Sequence, residues 1–279
     1  MIDVDGYLAV LGVARPSAPS AGALHALHRA QVERVAYECL DIHLGRPTGI
    51  GADESVARIV RGRGGYCFHL NGAFGALLSA LGFDVTRHRA GVQSTADAPA
   101  GATGNHLALT VRLGDERWLV DTGLGDGLHE PLPLREGSHI QGPFTYGLTH
   151  SVAAPGGWRL IHDPRGSFTA MDFAPDPVDL PSFTAEHARL STSPDSGFVR
   201  VLTAQRRDAK GVDVLRGCVL RRIDEAGTAE QILQTADEWY AALTGLFGLD
   251  LGDVDAAERT RLWHKVRAAH EEWEAGGRA

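Results

Sequence analysis

At Gly82 the apolar pattern of this 279-residue chain changes its period, and that change restricts what the chain can fold into. Before it, Leu70, Phe74, Leu77, Leu78 and Leu81 fall at i, i+4, i+7, i+8 and i+11, one face of a helix that begins at about Cys67. Gly82 stands where the C-terminal cap belongs. After it the period is two, and 84–92, 106–113 and 117–121 read as strands. Helices first and strands second predict an α+β fold.

The flanks extend the pattern. Asp3 or Asp5 caps a short helix through Tyr7, Leu8 and Leu11, which stops at Gly12 and Arg15-Pro16. Ser20 opens a second helix carrying Leu24, Leu27, Gln31, Val32 and Val35, and Asp53 a third through Val56, Ile59 and Val60. Residues 145–152 and 158–162 flank Pro155-Gly156-Gly157 as a hairpin. The stretch 93–104 is a small polar loop, and 163–184, with four prolines, reads as a connector. Strands return at 198–206 and 212–223, and helices at 234–246 and 253–275 close the chain. No internal repeat is present.

Charge and cysteine content narrow the function. A formal net charge of −8 argues against nucleic acid or an anionic membrane as partner. Cys39, Cys67 and Cys218 are too few for a disulfide framework, so a reducing cytoplasm is the expected location. The N-terminus carries acids where a signal peptide carries bases, and no apolar run approaches the roughly 18 residues of a membrane span. Gly123-Leu124-Gly125-Asp126-Gly127 lacks the Lys-Ser/Thr of a phosphate loop. Neither Cys39…His43 nor Cys67-Phe68-His69 has the paired spacing of a zinc site, so no metal is expected.

Cys67 follows two glycines at a helix N-terminus, where unpaired N–H groups and the helix dipole favour a thiolate, with Arg61 and Arg63 expected to add to the effect. A thiolate attacks carbonyl carbon. By position alone the same residue reads equally well as a small buried cysteine. A nucleophilic cysteine needs a histidine, and that histidine an orienting carboxylate. If Gly114-Asp115 is a two-residue turn, Leu113 pairs with Glu116, Ala108 lies opposite Asp121, and His106 shares their face. A three-residue loop would separate His106 from Asp121. Taken alone, the pair reads more simply as the polar face of a surface hairpin.

Arg63-Gly64-Gly65-Tyr66-Cys67-Phe68-His69-Leu70-Asn71 resembles the R-G-G-x-C-F-E-x-N signature of bacterial-type arylamine N-acetyltransferases. Tyr37-Glu38-Cys39-Leu40-Asp41 resembles the family's F-E-N-L-D, and Asn105-His106-Leu107 its catalytic histidine strand. Leu119–Gly125 resembles V-D-V-G-F-G, and 191–198 resembles S-T-x-P-x-S-x-F. The resemblance covers most of the chain in family order. It implies a helical bundle over 1–83 carrying the nucleophile, an antiparallel β-barrel over 84–190 carrying His106 and Asp121, and an α/β lid over 191–279, around a core like that of cysteine proteases. It also implies a ping-pong mechanism with a Cys67, His106, Asp121 triad. Acetyl-coenzyme A is the implied co-substrate, with no permanently bound cofactor. An arylamine or hydrazine is the implied acceptor, and the chain would be a monomer or homodimer. The Phe68 backbone N–H is a candidate oxyanion donor.

The sequence departs from the family pattern at Tyr37, Cys39, His69 and Leu124. Substrate-binding positions expected on this basis are Tyr37, Phe68, Asn105 and Leu124. Leu124, smaller than the family's Phe, widens the implied pocket. Two rivals keep the nucleophile: an amide synthase of this fold using a carrier-protein thioester, and a cysteine hydrolase. A silent binding module is opposed by the intact Cys67, His106 and Asp121.

Overall fold

The computed structural model describes residues 2–276. Helices α1 (Val4–Leu11), α2 (Ala21–Arg34), α3 (Leu40–His43), α4 (Ala52–Val60) and α5 (Cys67–Ala80) occupy the first third. Asp3 and Ser20 cap α1 and α2 through their side chains, and Gly12 ends α1 in the left-handed conformation. Gly51, not Asp53, is the cap residue of α4, and Asp53 lies in its first turn.

α5 is buried nearly all round, more than a single apolar stripe requires. Phe74, Leu77 and Leu78 share a core with Tyr7, Leu24, Leu27, Val56 and Ile59 on one side and with Leu107, Leu109 and Val111 on the other. The helix that begins at Cys67 is thus the axis of the molecule's first core.

Eight strands then build a nearly closed antiparallel barrel. They are β2 (Asp84–Gln93), β3 (His106–Leu113), β4 (Glu116–Val120), β5 (Leu132–Pro133), β6 (Gly137–Gln141), β7 (Phe144–His150), β8 (Trp158–Ile161) and β9 (Ala170–Pro177). Their order is β5-β4-β3-β2-β9-β8-β7-β6. β9 overturns the expectation of an irregular connector over 163–184. It is an interior strand, paired with β2 and β8, and its prolines 175 and 177 sit at its C-terminal end, where β2 breaks register.

The second sheet has the order β1-β10-β11-β12-β13, from β1 (Tyr37–Glu38), β10 (Thr203–Asp208), β11 (Gly211–Arg216), β12 (Val219–Asp224) and β13 (Gly227–Ile232). The expected single strand over 212–223 is the hairpin β11-β12, which turns at Gly217 with φ +57°. The expected strand at 198 begins only at Thr203, because α6 (Thr184–Thr192) and α7 (Gly197–Arg200) precede it. Leu215 shares a core with Trp239 of α8 (Ala236–Ala241), Leu243 of the helical turn that follows, and Leu262 and Val266 of α9 (Ala256–Ala275). Val212, Val214 and Ile223, on the opposite face, join the barrel cluster with Phe144 and Tyr146. Among the described residues no helix is long and apolar enough to cross a membrane.

Candidate active site

The loop before α5 is shaped by its two glycines. A Cβ on Gly64 would lie 1.8 Å from the Ala36 carbonyl oxygen, and Gly65 adopts φ +146°. This close approach lets Gly65 bridge Tyr37 in parallel and accept a 3.0 Å hydrogen bond from Glu38 N. Tyr66 then caps α5, and Cys67 and Phe68 take its first two positions, where N–H groups have no acceptor within the helix.

β3 and β4 meet through the two-residue turn. Leu113 pairs with Glu116 and Leu109 with Val120, so the next step along the register sets Asp121 opposite Ala108. His106 is therefore on Asp121's face, and its Nε2 lies 2.7 Å from Asp121 Oδ2. Nδ1 is left for the thiol. Burial disfavours the imidazolium, but Asp121 and then Cys67, which also hydrogen-bonds the ring, outweigh it and push the His106 pKa up to about 10.

Asn71, one helical turn beyond Cys67, holds the carboxylate. Its Nδ2 donates to Asp121 Oδ1 at 2.8 Å and to the Leu107 carbonyl at 2.6 Å. Its Oδ1 accepts from Thr122 N and Oγ1 at 2.9 and 3.0 Å. Gly123 N supplies Asp121 Oδ1 with a further 2.9 Å bond. Gly123 also packs on Cys67, since a Cβ there would fall 2.7 Å from its Cα. Sequence reasoning quoted Asn71 and Gly123 only as motif letters. The i, i+4 spacing of Cys67 and Asn71 was the signal that both face one partner.

Of the other expected site residues, Tyr37, Phe68 and Asn105 adjoin Cys67, while Leu124 belongs to the barrel core. Tyr37 is half-buried, its ring 6.2 Å from Phe198, and burial and then the neighbouring Cys67 raise its phenol pKa well above normal. Phe68 is fully buried against Phe183. Asn105 directs its side chain to the Val92 backbone, through Oδ1 at 2.8 Å and Nδ2 at 3.2 Å, while its carbonyl oxygen faces Cys67 Sγ at 3.7 Å. Leu124 is buried in the barrel cluster.

Arg63 is committed to Asp41 at 3.4 Å and Asp253 at 2.5 Å, and Arg61 is exposed. Arg58 ties Asp41 to the buried Glu38. His69 meets Thr48 Oγ1 at 3.4 Å and the Tyr66 ring edge-on, and burial holds its pKa far below normal. Cys39 is a structural thiol. Its Sγ lies 3.7 Å from the carbonyl oxygens of Val201 and Thr203, and burial pushes its pKa up to about 12.

A profile of the N-acetyltransferase family matches residues 21–256. The chain belongs to the arylamine N-acetyltransferase family. An arylamine N-acetyltransferase of Mycolicibacterium smegmatis is 32% identical over 268 residues, covering 91% of this chain and 94% of that one. The arylamine N-acetyltransferase of Mycobacterium abscessus superposes with a TM-score of 0.85 at 29% identity, covering 95% of each chain. That of Mycobacterium marinum, solved in complex with CoA, gives 0.84 at 28% identity, covering 95% of this chain and 98% of that one. The fold is the arylamine N-acetyltransferase fold, and the protein is an N-acetyltransferase.

Proposed function

We propose that the chain moves an acetyl group from acetyl-coenzyme A to an arylamine, hydrazine or related amine by a ping-pong route through S-acetyl-Cys67. The observation that carries this reading is the buried file of Cys67, His106 and Asp121, with a 2.7 Å bond between the last two. Asp121 and then Cys67 favour the charged imidazolium of His106, which places a proton donor beside the proposed nucleophile. Cys67 Sγ bonds to the thioester carbonyl carbon, the donor's C–S bond breaks, and His106 gives its proton to the departing thiolate. The neutral Nδ1 then takes a proton from the attacking amine as the new C–N bond forms, and Cys67 leaves as thiolate. Asp121 orients the ring and stabilises its charged form. The Phe68 N–H, at the start of α5, stabilises the oxyanion.

Intact-protein mass spectrometry tests the route. With acetyl-coenzyme A alone the protein gains one acetyl group, lost as N-acetyl product when an arylamine or hydrazine follows. Cys67→Ala takes up none and melts within a few degrees of wild type. An acetylated Cys67→Ala protein that still turns over would remove Cys67 from the mechanism.

A further inference from the structure

Side chains alternate along β10. Ala204 enters the core with Trp239 and Leu243, whereas Gln205 and Arg207 face the barrel, where Arg207 Nε donates to the Gly127 carbonyl at 3.3 Å. Gln205 stands between Tyr37 on β1 and Val214 on β11. It is only 7% exposed, and its Oε1 is buried with no hydrogen-bond partner among the described residues. A buried carbonyl oxygen without a donor is costly, and folded proteins leave few of them.

This orphan lies beside the reaction centre. A Cβ on Gly125 would fall 2.3 Å from Gln205 Oε1, so the amide fills space that glycine, here at φ +69°, leaves open. Gly125 is two residues beyond Gly123, which packs on Cys67, so chain geometry keeps Oε1 within about 15 Å of Cys67 Cα. Tyr37 bridges part of that interval. Cys67 is the foremost charged neighbour of its phenol, and Gln205 is its cross-strand partner on the same face. Leu124, the residue before Gly125, and Val214, beside Gln205, are both buried in the barrel cluster, so the amide stands against an apolar wall.

An acceptor amine brings its nitrogen to the acetyl group on Cys67. One aromatic ring laid on Tyr37 then carries its far substituent towards Gln205. An unpaired carbonyl oxygen selects a substituent that donates a hydrogen bond, a hydroxyl or second amino group, over one that only fills space. We propose that Gln205 is a specificity-determining residue, selecting arylamines that carry a hydrogen-bond donor on the ring, remote from the reacting nitrogen and bonded to Gln205 Oε1. This assignment rests on acetyl transfer from S-acetyl-Cys67 to an arylamine.

4-Aminophenol and 4-methoxyaniline test it, because the two amines are close in size and basicity and differ in the O–H. With p-nitrophenyl acetate as donor, wild-type kcat/KM is expected to be at least about tenfold higher for 4-aminophenol, with the difference in KM. In Gln205→Met, a side chain of similar length without the amide, the ratio falls to within about twofold because 4-aminophenol alone loses its advantage. The p-nitrophenol burst that precedes transfer to the amine is read separately, and both proteins are expected to show it. Equal kcat/KM for the two amines in wild type, or a ratio kept by Gln205→Met, would overturn the role of Gln205 and leave acetyl transfer standing. A wild type with no burst, or with a burst and no transfer to either amine, would bring down the arylamine reading and this assignment with it.

Discussion

At the scale of single residues, Asn71 contributes most per atom, because both N–H donors and both lone pairs of its side-chain amide go into fixing Asp121 and the chain on either side. Asn71→Ala takes from Thr122 N its side-chain acceptor and from the Leu107 carbonyl a donor, at a cost of about 1–3 kcal/mol in thermal or denaturant unfolding. It also frees the carboxylate, and kcat is expected to fall about 10- to 100-fold. A kcat within twofold of wild type would show that Asp121 is held well enough without it. His106 makes a second prediction. Its folded pKa of about 10 lies above the unfolded value of roughly 6.5. The stability linked to its charge is therefore complete below about pH 6.5 and is lost as pH rises through 10. Ring-carbon NMR should find a midpoint near pH 10 in wild type and a lower one in both Asp121→Asn and Cys67→Ala. A wild-type midpoint between 6 and 7 would contradict the charged pair.

At the scale of elements, the reactive geometry arises where the end of β4 packs on the start of α5, and Gly123 is the point of contact. Gly123→Ala would press a methyl on the Cys67 backbone at 2.7 Å, and backbone cannot swing aside as a side chain does. A drop of about 100-fold in kcat is expected, with most of the stability kept. Gly114→Ala is the matching control. Its Cβ would meet nothing within 4 Å, but φ is +61°, so it should cost about 1 kcal/mol of stability and leave kcat alone. Were the two variants to behave alike, close approach at Gly123 would not be what matters. These elements also mark what the sequence discloses. α5, β3, β4 and their register were legible, since period, caps and a Gly-Asp turn are local signals. β1 was not, being two residues long and defined only by its partners Gly65 and β10. β9 was hidden by prolines that its position at the end of the pairing makes harmless. The commitment of Arg63 to Asp253 was beyond any local pattern, because the two residues are 190 apart in sequence.

At the scale of the whole molecule, the first third and the last are joined at several places, among them the pairing of β1 with β10 and the ion pairs of Arg63 with Asp253 and of Arg46 with Asp253 and Glu258. Ala36 and Leu40, from the N-terminal third, are also buried in the same cluster as Trp239, Leu243 and Leu262. Melting followed by far-UV circular dichroism and by tryptophan fluorescence should therefore give one coincident transition. Two separated midpoints would mean that these joints are too weak to make the molecule unfold as a unit. The same joints set an order in time. Cys67 is made early, yet the strand that steadies its loop and the carboxylate that clamps the loop's arginine leave the ribosome only after some 140 and 190 further residues. Through that interval the growing chain carries a cysteine whose loop lacks both of these supports.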